Sequence, residues 1–376
     1  MADTTTWSPK IDTALSMFVA TSEEPNSSLG FSESDRLSHL QGALPPWAKE
    51  AHEQVSRSII ADRLPHALTV QGDNGIGIEM LAGAIASARL CDQVSRQVSA
   101  PNPDETAPVL ACGRCKSCEL LAAGTHPDIK VLEPTGAANL IKVDQVRELI
   151  GFMAQTPQIS QWKLCWIGDA HRMNQNAANA LLKVLEEPQG ESLLLLVTDR
   201  PQILLPTIRS RSRSLQVRPP SEPETLRYCE EKGVAEGHIQ QLLPVLGQRP
   251  HDIVAWAEGD KLSAWQQLDE GLQQVSRGEL STQALTDVLK DLPVETILDW
   301  LISGVGRRVK AALLLEQSDG QLGIDPASVK RWYSYYDWLI EMHRDVEGGS
   351  NPNRQLLLDE SFLRWRAVSQ SVLRSV

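Results

Sequence analysis

Four short apolar runs, residues 67–70, 129–132, 164–167 and 193–197, constrain this chain more than any other feature. Each is too short for a helix and several are followed by a polar or Gly-rich turn, which is how buried strands read. Between them apolar residues recur with helical period. Val146, Leu149, Ile150 and Met153 should open after Asp144, a good N-cap, and stop before Pro157. A second helix is expected from about Asn174 to Glu187, closed by Pro188, apolar on more than one face and with Lys183 at a solvated edge. This rhythm predicts an α/β parallel sheet with crossover helices.

The stretch Gln71-Gly72-Asp73-Asn74-Gly75-Ile76-Gly77-Ile78-Glu79 joins the first run to a helical period, and Gly72-x4-Gly77 has the spacing of a phosphate-binding loop. Its chemistry departs from that motif. Ile78 stands where a lysine would reach the β/γ-phosphates, and Glu79 where a hydroxyl would hold Mg²⁺. A Gly-rich turn that binds no ATP productively is the expectation. Downstream, Leu164-Cys165-Trp166-Ile167-Gly168-Asp169-Ala170-His171 has the form of the second ATPase motif, but Ala170 replaces the water-activating glutamate. Asp169 reads as a cap on the following turn rather than a metal ligand. Cys165 reads as strand core and His171 as a loop residue, neither of them a ligand.

Cys91-x20-Cys112-x2-Cys115-x2-Cys118 supplies four thiolates, enough for a closed tetrahedral Zn²⁺ site that pins a long loop to the end of the preceding helix. The bacterial ferredoxin run would need a fourth cysteine three residues on and then proline, whereas Ala122 follows Glu119, Leu120 and Leu121. Structural zinc is therefore expected, and four protein ligands leave no position for a reacting water. Cys229 stands alone and reads as an ordinary helix residue.

The 376 residues suffice for two or three domains, and 41% of them are apolar. With 48 acidic and 36 basic residues, the net charge is −12, which disfavours strong binding of nucleic acid by the chain alone. No stretch approaches the ~18 apolar residues of a membrane span, and the first residues lack a secretory pattern, so a cytoplasmic location and no membrane partner are expected. Residues 1–40, rich in Ser and Thr, read as a disordered extension. On an extended backbone Arg209, Arg211 and Arg213 would point the same way, either as a solvated basic face, paired with the protein's own acids, or toward phosphate. After Pro219-Pro220 the chain looks helical. Val294, Ile297, Leu298, Leu301, Val305 and Val309 form one helical face, and a helix opened by Asp325-Pro326 carries another. Trp332, Tyr333, Tyr335, Tyr336 and Trp338 read as core aromatics of that bundle rather than as a base-stacking platform.

The broken loop, the four-cysteine insert, Gly124-Thr125-His126-Pro127-Asp128, the helix Asn179-Ala180-Leu181-Leu182-Lys183-Val184-Leu185-Glu186-Glu187-Pro188 and Ile208-Arg209-Ser210-Arg211 together resemble the delta prime family of bacterial DNA polymerase III clamp-loader subunits. The match is strong over residues 44–220 and weaker through Gly247-Gln248-Arg249-Pro250 and Asn353-Arg354-Gln355-Leu356-Leu357. The resemblance implies an AAA+ (P-loop NTPase-like) module with a zinc-binding insert over 41–218, a small helical lid domain over 219–260 and an all-α collar over 261–376. It implies a ring of five with the motor subunits and the delta subunit, acting on the sliding clamp and primed DNA. It also implies a subunit that does not hydrolyse ATP itself but lends an arginine, here Arg211, to a neighbour's ATP. The family's Ser-Arg-Cys motif reads Ser210-Arg211-Ser212 in this chain, and the loop between the first two cysteines is longer than usual. Two rival readings are an independent AAA+ ATPase, opposed by Ile78, Glu79 and Ala170, and a zinc-containing nucleic-acid-binding AAA+-like protein outside the replisome, opposed by the charge.

Overall fold

A computed structural model describes residues 44–94, 109–136, 139–188, 190–319, 326–347 and 352–373. The expected N-terminal extension and most of the loop between Cys91 and Cys112 lie outside the described residues. The described chain groups into two units, residues 44–234 with 248–255, and residues 235–247 with those from 256 onward.

The first unit is built on one parallel sheet. Its strands are β1 (Ala67–Gln71), β2 (Ile129–Leu132), β3 (Lys163–Ile167), β4 (Ser192–Thr198) and β5 (Arg213–Gln216), in the spatial order β2-β3-β4-β1-β5. Every pairing is parallel, so each connection must cross a face of the sheet. Along the strands alternate side chains enter two cores. Leu68, Val70, Leu164, Trp166, Leu193 and Leu195 face one, lined by α1 (Lys49–Ile60) and α2 (Ile78–Leu90). Ala67, Cys165, Ile167, Leu194 and Leu196 face the other, under α4 (Val143–Met153) and α5 (Gln175–Glu186). α3 (Lys116–Ala122) belongs to the cysteine insert.

The four apolar runs are strands, lengthened by one residue at some ends. The fifth strand was not expected: Arg213, Ser214 and Gln216 are exposed and only Leu215 is buried, the signature of a polar edge. α4 begins at Val143 rather than after Asp144, because the Gln145 side chain accepts the Lys142 N–H at 2.8 Å and leaves Asp144 to pair with Arg147 at 2.9 Å. α5 starts as expected, with Asn174 accepting the Ala177 N–H, and Lys183 is exposed. Between Ser192 and Thr198 every residue of β4 is buried, so this strand is the spine of the unit.

α6 (Pro206–Arg209), α7 (Glu222–Glu231) and the first turns of α9 (Pro250–Glu258) complete this unit. The second is helical: α8 (Glu236–Leu246), α10 (Lys261–Arg277), α11 (Thr282–Val288), α12 (Val294–Asp319), α13 (Pro326–Glu347) and α14 (Arg354–Leu373). Trp332 packs edge-on against Trp365 with ring centroids 5.4 Å apart, and the buried Tyr335 hydroxyl donates to the Ser361 carbonyl at 2.8 Å. Trp332 and Tyr335 are core residues as expected, but Tyr333 is exposed and Tyr336 and Trp338 are half-buried, because one helix face cannot bury five aromatics across seven positions. No helix among the described residues is long and apolar enough to cross a membrane.

Candidate functional site

The loop between β1 and α2 turns tightly, with φ of +74° at Gly75 and +81° at Gly77, a region that suits glycine. Ile78 is buried at the first position of α2 and Glu79 is half-buried in its first turn, so neither offers a cation to phosphate. The loop is covered by its own chain. The carbonyls of Asn74, Gly75 and Ile76 accept hydrogen bonds from Arg249 Nε at 3.1 Å, the His251 backbone N–H at 3.0 Å and Trp47 Nε1 at 2.7 Å. Trp47, Tyr228 and His251 pack ring against ring beside it, at centroid distances of 5.0 to 6.3 Å.

Four cysteines converge after α2. Cys91 ends that helix, Cys115 stands at the N-cap of α3 and Cys118 lies in its first turn. Sulfur–sulfur separations of 3.9 Å (Cys91–Cys115), 4.0 Å (Cys112–Cys118) and 3.5 Å (Cys115–Cys118) match the roughly 3.8 Å edge of a tetrahedron with ~2.3 Å zinc–sulfur bonds. The Cys112 N–H donates to Cys91 Sγ at 3.3 Å. Burial raises the Cys112 thiol, but amide donors at Arg114 and Cys115 outweigh it and bring its pKa down to about 7. Four clustered sulfurs, with amide donors at Cys91, Cys112 and Cys118, suit a thiophilic divalent ion.

Buried groups anchor this insert to the sheet. His126 Nδ1 accepts the Asp128 N–H at 3.0 Å, so its proton sits on Nε2 and donates to Ser117 Oγ at 2.7 Å. Ser117, between two of the cysteines, donates its own hydroxyl to the Leu90 carbonyl at 2.6 Å, next to Cys91. Burial keeps His126 neutral by lowering its pKa. Asp128 is fully buried, with Lys163 Nζ at 3.1 Å and three amides, Gln158, Ile159 and Ser160, at 2.7 to 2.9 Å.

The three arginines are exposed, but they do not share an extended segment. Arg209 ends α6, Arg211 sits in the turn and Arg213 starts β5, so the expected alternation fails: α6 is nucleated by Pro206. Arg211 pairs with Glu186 Oε1 at 2.9 Å at the end of α5 and donates to the Thr207 carbonyl at 3.1 Å. Below it Ser212 Oγ donates to the Ile208 carbonyl at 3.0 Å and accepts from Thr69 Oγ1 at 2.8 Å, which ties the turn to β1.

At the ends of β3 and β4, Asp169, His171 and Asp199 bring one ligand atom each within 4.8 Å of one another. His171 lies in a one-turn 3-10 helix, Ala170–Arg172, rather than in a loop, with Nδ1 3.0 Å from Thr198 Oγ1 and 3.3 Å from Asp199 Oδ1. Asp169 occupies the N-cap position of that turn, but its side chain makes no capping bond. Cys165 and Cys229 are buried, in a strand and a helix respectively. Sequence reasoning missed Asp199, which lies near no recognisable motif, and the contact of residues 249–252 with the loop, although Arg249 and Pro250 belong to a stretch that carries the family resemblance.

Residues 47–221 match the family model described as "DNA polymerase III, delta subunit". A DNA polymerase III subunit delta' from Pseudomonas aeruginosa is 32% identical over 331 residues, covering 81% of this chain and 92% of the relative. The subunit delta' of Escherichia coli is 33% identical, covering 60% of this chain and 65% of the relative. That of Haemophilus influenzae is 33% identical, covering 54% and 58%.

Proposed function

We propose a role that starts from descent: this chain belongs to the delta prime family of DNA polymerase III clamp-loader subunits, and it works there as the member that completes a neighbour's ATP site without using ATP itself. The observation that carries the reading is the combination, in one chain, of a loop stripped of its phosphate chemistry and an exposed Arg211 held only by solvent-accessible partners. An exposed ion pair of this kind is worth about 0–1 kcal/mol, so a phosphate in trans outcompetes Glu186 for the guanidinium. Placed there, arginine stabilises charge developing on the transferred phosphoryl group and makes hydrolysis conditional on assembly.

The remaining parts follow as one scheme. Residues 41–218 act as an AAA+ module, and residues 219–260 and 261–376 act as helical lid and collar. The collar assembles with the motor subunits and the delta subunit in a ring of five that opens the sliding clamp and places it on primed DNA. Cys91, Cys112, Cys115 and Cys118 hold a structural Zn²⁺, which supplies cross-linking of the insert; Ser117 and His126 keep that insert against the sheet. The acidic surface leaves DNA contact to the complex as a whole.

Reconstitution tests the role. The loader assembled from purified subunits should load clamp onto primed DNA only when this chain is included, while the chain alone hydrolyses no ATP. Loading without the chain, or ATP turnover by the chain alone, contradicts the proposal.

A further inference from the structure

The β1–α2 loop has the glycine spacing of a phosphate-binding loop, with Ile78 and Glu79 where a lysine and a hydroxyl would stand. A Cβ built on Gly75 would collide with the Asp252 carboxylate, and one on Gly77 with the His251 imidazole. Asp252 is 96% buried, stands in the first turn of α9 and forms an ion pair with Arg249. A carboxylate thus rests on the turn that precedes α2, a 13-residue helix whose N-cap, Gly77, supplies no capping side chain. Such a terminus favours a negative charge.

We infer that the Asp252 carboxylate is an internal substitute for a nucleotide phosphate, an anion carried by the chain itself that keeps residues 249–255 fastened to the loop. The inference rests on the reading that this loop holds no nucleotide. Three features make the fastening specific. Arg249 both neutralises Asp252 and donates to the Asn74 carbonyl, so the cation and anion arrive together. The His251 amide donates to the Gly75 carbonyl, which fixes the register of the segment on the loop. Glu79 adds a second negative charge in the same turn, which disfavours a free polyphosphate far more than a single carboxylate balanced by Arg249. In a nucleotide-binding relative of this architecture, a ligand that comes and goes would set the position of the segment. Here the occupant is covalently part of the chain and never leaves.

Hydrogen–deuterium exchange on the intact chain tests this. Asp252→Ala should speed exchange of the amides of residues 72–79 and 249–255 by at least about tenfold, and millimolar inorganic phosphate should slow it again in the variant but not in the wild type. Unchanged exchange in the variant overturns the inference. Faster exchange that phosphate does not slow also overturns it, since Asp252 would then act only by filling space. Asp252→Asn, which keeps the shape and removes the charge, gives the same reading should the alanine variant not fold: exchange equal to wild type overturns the inference. Protection of the wild-type loop by MgATP would instead contradict the nucleotide-free reading on which the inference stands.

Discussion

Lys163 and Asp128 are both almost fully buried, an arrangement tolerable only because each is satisfied several times over. Burial alone would raise the Asp128 pKa. The amides of Gln158, Ile159 and Ser160 and the Lys163 ammonium outweigh it and hold the group at about 2, below the ordinary 3.8. A carboxyl depressed on folding adds stability that is complete above its unfolded pKa and is lost as pH falls through the folded one. The contribution should therefore fade between about pH 4 and pH 2. Replacing Asp128 with Ala leaves Lys163 buried without its counter-charge and should cost roughly 3–5 kcal/mol at neutral pH. Urea melts across pH check both statements: the variant should be weaker at pH 7 and should lack part of the acid-dependent loss, and an unchanged pH slope would contradict the pairing argument. The backbone N–H of the same residue sets the His126 tautomer that supports the cysteine insert, and alanine keeps that donor, so this contact should survive the substitution.

Elements differ in how far they were readable. β1, β3 and β4 were legible because continuous apolar runs of that length suit burial on both faces, whereas β2, an edge strand interrupted by Lys130, buries only Leu132. β5 was not, since Leu215 is its one buried residue and its remaining side chains are those of an edge. The four metal-ligand candidates were legible from local spacing and Arg211 from its likeness to a family motif. The cover on the loop was not, because Arg249 and Asn74 meet across 175 residues. Tertiary packing decided what the loop does, and no local pattern reports that. The elements nonetheless allow a clean comparison. Gly77 and Gly233 share a φ of +81°, yet a side chain at Gly77 meets His251 whereas nothing lies within 4 Å at Gly233. Ala at Gly233 should cost only the left-handed strain of about 1–2 kcal/mol. Ala at Gly77 should cost that and a further ~1–3 kcal/mol of overpacking. Thermal melts of the two variants decide it, and equal losses would mean that the segment over the loop yields freely.

At the scale of the molecule, an acidic chain with a net charge of −12 presents Arg209, Arg211 and Arg213 exposed around one short turn. Their placement follows from the sheet. β5 lies beside β1, and Ser212 is tied to Thr69 on that strand, so the turn carrying Arg211 is fixed to the core while its guanidinium reaches outward. The chain's own loop is covered by residues 249–252, and Arg211 pairs at the surface with Glu186. Under the proposed role, another subunit brings the nucleotide that Arg211 meets. The decisive measurement is the steady-state ATPase of the reconstituted loader with clamp and primed DNA, comparing wild type with Arg211→Ala and with complex formation verified by gel filtration. The account predicts full assembly with kcat at least about tenfold lower and KM changed far less, since a trans arginine acts on the transition state. Undiminished kcat in a fully assembled complex would contradict it.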